Sequence, residues 1–550
     1  MSSAPTDGLD PRRKRLVLLA AIMGSFVAGL DATVVNVALP AIERDLGGGL
    51  AGQQWVSNAY LLALGSLILV GGSLGDVYGE RRGLSPRVRG VRAAAPPFRA
   101  PPRPARPVAP RALQGIFGAL LTPSALAVIV MAFTPSERGG AIGSWTAWSG
   151  IATVLGPFIG GWLIDAASWR WIFLINLPFV IATLVLVRVA IPRRAPGPVR
   201  RHVDWAGAAL CAVGLAGPVF ALIRQPQEGW GSPQVLAGLI GGVAGFAVFP
   251  WREAHIADPM LPLGLFRRRN FAVGNLQTLS MYGGLAITFF FLVLFLQQVA
   301  GYDALQAGLA TLPSTLVMFA LSKRFGALAD RLGPRGFMGG GPIVAAAGLA
   351  WFTRMPADVD YVTDVLPGLV VFSLGLALTV APLTATVLAD ADESNAGIAS
   401  GINNAIARVA GLLAIAALGA VVAGTFTSSI DTALAGVPLT PAGRSAVAQA
   451  RSQTLAQADT AGLPPREARA VARAVENASL KAFHTGIGIS AALVFLGGLL
   501  GLAGIVNPRR RVAAEGCSGG QIVGVPHDVG DCWEAGEGEL PVVSLSGARG

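Results

Sequence analysis

The chain has 550 residues, 53% of them hydrophobic and only 13% charged, about half the charged share of an ordinary soluble domain, which excludes a string of soluble globular units. Its net charge of +11 sits in short arginine clusters between apolar blocks, the positive-inside pattern of a membrane protein rather than a nucleic-acid surface. Lysine occurs only as Lys14, Lys323 and Lys481, none placed in a phosphate-cradling G-x-x-x-x-G-K-[ST] loop, so no nucleotide site is expected; the three cysteines and four histidines lack ligand spacing, so neither cofactor, metal nor disulfide framework is expected.

Apolar blocks of about 20 residues, enough to cross about 30 Å of hydrocarbon as helix, fall near residues 16–39, 55–75, 111–133, 140–164, 169–190, 205–223 and 234–250. Six more lie near 271–299, 305–322, 337–353, 364–389, 397–424 and 484–506. They predict an all-α polytopic membrane protein with a cytoplasmic N-terminus over 1–15, a helix bundle over 16–190 and two linking helices within 191–270. A second bundle over 271–424, an extracytoplasmic loop over 425–483, a last helix over 484–506 and a cytoplasmic tail over 507–550 complete it.

The first block follows a basic stretch as a signal peptide would, but it is too long and Asp31 interrupts it, so it reads as a retained helix. A carboxylate in hydrocarbon marks an ion path or a substrate site. Gly24, Ala28, Asp31 and Val35 share one helical face on which small residues admit a neighbour. A helix-packing hydrogen bond is the alternative role for Asp31.

After the second block, GSLGDVYGERR at 72–82 reads as a tight loop, with Gly72, Gly75, Asp76, Gly79 and Arg81. GALADRLGPR at 326–335 repeats the design with Asp330 and Arg331. An acid in such a turn can cap a neighbouring helix and lock the loop; the alternative, two unrelated polar turns, is weakened by the repetition.

Residues 83–110 carry six arginines and eight prolines. Six buried arginines would cost on the order of 10 to 20 kcal/mol, so the segment is not expected to span as written. Yet Arg193, Arg194, Arg200, Arg201, Arg267 to Arg269, Lys323, Arg324, Arg331, Arg335 and Arg509 to Arg511 share the cytoplasmic side only if the chain crosses there. An out-of-frame translation in place of a third helix accounts for both facts; a genuine basic loop would invert everything after it.

Arg111 opens the next helix in RALQG and, being permanently charged, can tune or replace the proton of a carboxylate, or simply snorkel to the interface. In the helix near 140–164, Gly156 and Gly160 give the small-residue spacing for close contact, Gly161 thins it further, and Pro157 bends it. Near the other end, Gly397, Gly401, Asn404, Arg408 and Gly411 stack on one face, placing Arg408 near mid-bilayer in a gating or a snorkelling role. The polar stretch 425–483 lies outside the bilayer, as a partner contact or a solvated loop, and the Gly-rich tail is expected to be loosely ordered.

Taken together, LDATVVNVALP, GSLGDVYGERR, RALQG, VLGPFIGG, WRWIFLINLP at 169–178, FLQQVAGYDALQAGLATLP at 295–313 and ASGINNAIARVAG at 399–411 resemble the major facilitator superfamily, specifically its 14-helix drug:proton antiporters. The resemblance covers roughly residues 16–506 and fails at 83–110, where that family has its third helix. It implies two six-helix bundles plus two extra helices, and proton-coupled export of amphipathic or cationic compounds through the cell membrane without cofactor or nucleotide. It further implies that Asp31 and Arg111 serve proton coupling or substrate recognition, that Asp76 stabilises one conformation, and that Gly156 and Pro157 shape a close-packed helix. A dedicated metabolite exporter, or an inactive membrane protein lacking its third helix, are the alternatives; an enzyme is not expected, since no nucleophile, base and orienting group emerge together.

Overall fold

The computed structural model describes residues 10–78, 108–133, 135–190, 204–257, 259–389, 396–455 and 457–507, plus a two-residue antiparallel pairing of Arg511–Val512 with Cys532–Trp533. The sequence-marked segments Gly79, Arg81 and most of 83–110 lie outside the described residues, as does nearly all of the tail.

The chain is a multi-spanning all-α membrane fold. In order, the helices are α1 Pro11–Leu46, α2 Gly49–Tyr78, α3 Val108–Ala132, α4 Pro135–Ala166, α5 Trp171–Leu174, α6 Asn176–Ala190, α7 Trp205–Glu228 and α8 Pro233–Glu253. They continue as α9 Arg269–Gln298, α10 Ala304–Ala310, α11 Leu312–Leu332, α12 Pro334–Trp351, α13 Leu366–Ala389, α14 Ala396–Ala433, α15 Pro441–Ser452 and α16 Pro465–Gly504. Among the described residues, nine helical spans are long and apolar enough to cross a membrane. Large apolar side chains such as Ile240, Phe319 and Trp251 are exposed, as expected for a membrane bundle with an apolar outside.

Local chemistry sets the ends. Asp204 caps α7 by accepting from Gly207 N–H, and α7 stops at Gly229 with φ 76°, a conformation open to glycine. Asp303 and Gln306 form a capping box on α10, and α11 ends at Gly333 with φ 90°. The 72–82 and 326–335 segments are not loops throughout: Gly72, Gly75 and Asp76 continue α2, and 326–332 continue α11. Neither stretch contains a helix-breaking proline before its end, so the helices simply run on.

α2 and α3 run side by side in the same direction. Arg111 meets α2 at Val56, Gly115 meets it at Tyr60 and Ala63, and Ala119 shares a cluster with Leu64 and Ile68. Both numbers rise together, so the chain leaving α2 at Tyr78 re-enters α3 about 33 Å back along the axis, taking 22 residues at 1.5 Å rise. The anomalous stretch also ends earlier than its composition implied, because Val108, Ala109 and Pro110 already belong to α3; proline is tolerated in a first helical turn, whose N–H groups have no partner inside the helix.

The segment over 425–483 is more ordered than the loop expected there. α14 runs 38 residues and α16 runs 40, about 57 and 60 Å at 1.5 Å per residue, well beyond 30 Å of hydrocarbon. Between them α15 buries Val447 and Ala450 against Leu455, Val471 and Val475. Thr440 caps α15 through Gly443 N–H, and buried Glu467 accepts from Thr440 N–H at 2.8 Å. The apolar residues share a stripe among many polar ones, so the segment folds as a helical cap, and the last helix begins at Pro465 rather than near 484.

Candidate substrate and proton site

Asp31 is 3% exposed and Arg111 1%. Arg111 Nη1 lies 2.7 Å from Asp31 Oδ2, and Asn176 Nδ2 donates to Asp31 Oδ1 at 2.7 Å. Both carboxylate oxygens are thus engaged, which corrects the sequence-based picture of a lone carboxylate in hydrocarbon: its counter-charge comes from α3 and its amide from the start of α6. Gly24, on the same face of α1, lies against Thr183 of α6, where a Cβ would make ordinary contact at 3.5 Å.

Arg111 is not at the interface. Besides Asp31 it donates from Nε to Val56 O at 3.1 Å and from Nη1 to Gln114 Oε1 at 3.0 Å, while its guanidinium sits 4.4 Å from the Tyr60 ring centroid. A delocalised cation with several fixed donors suits such a buried position far better than an ammonium. Asp31, Asn176, Arg111, Gln114 and Tyr60 form one polar island drawn from four helices.

Arg408 and Asn404 share a face of α14 on the far side of α2. Arg408 is half-buried; a Cβ on Gly65 would stand 3.7 Å from the Arg408 Cβ, and its charge reaches Tyr60 and Tyr282. Asn404 is exposed and, among the described residues, donates to Ser400 O at 3.0 Å. The structure brings Asp31 and Arg111 together and leaves Arg408 and Asn404 as a separate group across Tyr60.

α4 is pressed between α1 and α10. A Cβ on Gly156 would stand 2.0 Å from Thr33 Oγ1, and one on Gly160 2.6 Å from Val34 Cγ2. Turned the other way, Gly161 faces Ala304 and Leu305, and the Pro157 carbonyl faces Gly308. Asp165 Oδ2 accepts from Leu305 N–H at 2.9 Å at the same seam. Two further contacts close the same end, the one remote from the clusters at Arg12 to Arg15 and Arg267 to Arg269: Gln297 donates to Val37 O at 3.0 Å, and Gln54 donates to Ile415 O at 2.6 Å.

At the opposite end Asp330 and Arg331 are exposed on α11, and Asp330 caps no helix among the described residues. The turn is held instead by Asn507 packed on Gly333 and by Arg335, whose Nε donates to Leu502 O at 2.7 Å. The residues that sequence reasoning missed are Asn176, Gln114, Tyr60 and Gln54. Gln114 sits one turn beyond Arg111 and Asn176 stands inside WRWIFLINLP, so both lay in stretches already singled out.

Among curated proteins, the chain is 36% identical over 434 residues to the puromycin resistance protein pur8 of Streptomyces alboniger, covering 77% of this chain and 84% of that one. It is 34% identical over 431 residues to the tetracenomycin C resistance and export protein of Streptomyces glaucescens, covering 77% and 78%. Among solved structures, a bacterial homolog of the human lysosomal transporter Spinster, inward-facing and unoccupied, matches with TM-score 0.58 at 16% identity over 91% of this chain and 100% of that one. An auto-inhibited POT family peptide transporter matches with TM-score 0.58 at 14% identity over 91% and 99%; at such identities the likeness is one of fold. The family model described as Major Facilitator Superfamily matches residues 21–415, most of the chain, and with these relatives it establishes that the chain belongs to the Major Facilitator Superfamily.

Proposed function

We propose that the chain is a proton-driven exporter of amphipathic or cationic small molecules, built as two six-helix bundles with α7 and α8 between them and both termini cytoplasmic. The observation that carries this reading is the buried Asp31–Arg111 pair. As ions the two groups neutralise each other. A proton on Asp31 Oδ2 removes the negative partner and leaves the Arg111 guanidinium, which cannot lose its own proton, uncompensated beside Tyr60. Proton and cationic cargo then compete for one carboxylate, and mutual exclusion at a shared site is what exchange of one for the other requires.

The side-chain hydrogen bonds named above between the bundles lie at the outer end, at Gln54, Gln297 and Asp165, which supports an inward-facing state with Arg408 and Asn404 beside the inner path. In the alternate state the bundles rock about Gly156, Pro157, Gly160 and Gly161. Gly72, Gly75, Asp76, Gly79 and Arg81, with Asp330 and Arg331, belong to a lock at the inner ends of α2 and α11. No cofactor, metal or nucleotide is part of the cycle; the partners are the cargo, protons and the bilayer.

A narrower cargo range is the second reading, because the names of the relatives above each specify one antibiotic. Purified chain in vesicles, given an inward proton gradient and a panel including puromycin and tetracenomycin C, separates the readings. Broad proton-driven efflux is expected, a single transported compound favours the narrow reading, and transport that persists unchanged in Asp31→Asn overturns the coupling role. Absence of any transport identifies this chain as inactive, with 83–110 the first place to resequence.

A further inference from the structure

The inner base of the α7–α8 pair holds a buried carboxyl group that the proposed cycle does not use. Asp204 caps α7, accepting from Gly207 N–H at 2.9 Å, and it takes both Arg252 Nη2 at 2.8 Å and Nε at 3.2 Å. Those Arg252 bonds, helped by the backbone N–H, hold the Asp204 carboxyl below the usual carboxylate range. Glu253 follows Arg252 in the chain and is 2% exposed. Its Oε2 accepts from Leu261 N–H at 2.8 Å, but its Oε1 is buried without a partner among the described residues.

The unpartnered oxygen faces Asp204. The point where a Cβ on Gly207 would stand is 2.3 Å from Asp204 Oδ2 and 2.7 Å from Glu253 Oε1, so the two oxygens crowd the same small space over a residue with no side chain. The walls are apolar: Ala208, Phe249 and Met260, with Leu67 of α2 and Leu261 packed against them. Besides Asp204 and Arg252, the titratable group that reaches Glu253 is the Cys211 thiol; Arg200, Arg201, His202 and Asp258 lie outside the described residues. Two carboxylates crowded together, with the guanidinium bonded to Asp204 alone, repel each other, and an orphaned buried oxygen costs its full desolvation. One proton removes both penalties, because a Glu253 Oε1–H can donate to Asp204 Oδ2.

We infer that Glu253 and Asp204 form a second proton-binding site, separate from Asp31, in which Glu253 carries the proton and Asp204 accepts its hydrogen bond. The proton comes from and returns to water on the inner side, leaving Glu253 as carboxylate. The site matters beyond its own base because α7 packs against both α2 and α14, burying Leu215, Val219 and Ile223 with Leu412 and Ala416. Losing the proton makes the base of the hairpin self-repelling, so inner pH acts on the helices that flank the α2–α14 seam.

Infrared difference spectra of the purified full chain test this. At neutral pH the wild type is expected to show the deuteration-sensitive C=O stretch of a protonated carboxylic acid. The band disappears in Glu253→Gln and Glu253→Leu, and persists in Asp31→Asn, so failure of the Asp31 reading leaves it untouched. Labelling glutamate alone with carbon-13 in the unmodified chain must shift the band, which keeps the test decisive should either variant fail to fold. A spectrum in which the band is missing at neutral pH, or fails to shift with glutamate labelling, overturns the proposal.

Discussion

Gly419→Ala should open the outer seam between α2 and α14. A Cβ at this position would stand 1.6 Å from Gln54 Nε2 and 2.5 Å from its Cδ, so the amide has to leave the niche and give up its 2.6 Å bond to Ile415 O. Gln54 is buried, and stranding its amide costs about 1 to 3 kcal/mol. That cost falls on the closed outer state alone, so the closed population should drop by roughly 5- to 150-fold relative to the open one. Distance distributions between spin labels at the outer ends of α2 and α14 read the shift. Alanine in place of glycine also favours helix by up to about 1 kcal/mol, and Gly424→Ala, on the same helix with open space where its Cβ would go, controls for this. In a Gln54→Ala background the effect of Gly419→Ala should vanish. An unchanged distribution in Gly419→Ala, or an equal shift with and without Gln54, would refute the argument.

Two further outcomes follow from the same geometry. Asp31→Asn should lower the melting temperature, because it strands the Arg111 charge at a cost of about 3 to 5 kcal/mol, and the double change Asp31→Asn with Arg111→Gln should recover part of the loss; a double variant less stable than both singles contradicts the pairing. At the outer turn before α13, Asp360 accepts from Thr363 N–H at 2.9 Å and from Val362 N–H at 3.0 Å, and these bonds, the Thr363 one foremost, hold its carboxyl below the usual range. The stabilisation is therefore present above the ordinary carboxylate range and lost as pH falls through the lowered value. Amide exchange at Val362 and Thr363, corrected for its intrinsic pH dependence, should speed up on acidification in wild type and lose that dependence in Asp360→Asn.

Asp31 stood out in the sequence because one acid in an apolar run is conspicuous whatever surrounds it. Arg111 stood out as well, as a permanent charge suited to a carboxylate, but that it meets Asp31 80 residues away, and that Asn176 joins from 145 residues away, did not: a linear pattern says which face a residue occupies but not which helix meets that face. The small residues at Gly156 and Gly160 announced a close contact; that Gly161 and Pro157 serve a second helix on the other side depends on the path of α10, which no spacing encodes. Each of the thirteen apolar blocks overlaps a helix, and the alanine-rich stretches within 425–483 suggested helix there too; that α15 and the start of α16 pack together did not show, because they bury only narrow stripes that a window average over mostly polar residues hides. The turn after α11 misled for a different reason: Asp330 looked like a cap, yet the bonds go to Arg335 and Asn507, the latter more than 170 residues downstream.

The seat of α7 against both α2 and α14 makes the molecule lopsided. One flank of the seam is strapped by a helix that belongs to neither side of it, while the α4–α10 flank is held by close backbone contact at Gly161 and Gly308 and by the Asp165–Leu305 hydrogen bond. Separation of the halves then resembles a book with its spine along α7 more than a pair of parting jaws. In the proposed cycle the page edge, at α4 and α10, would swing widest, and a bulky compound would find its widest exit there.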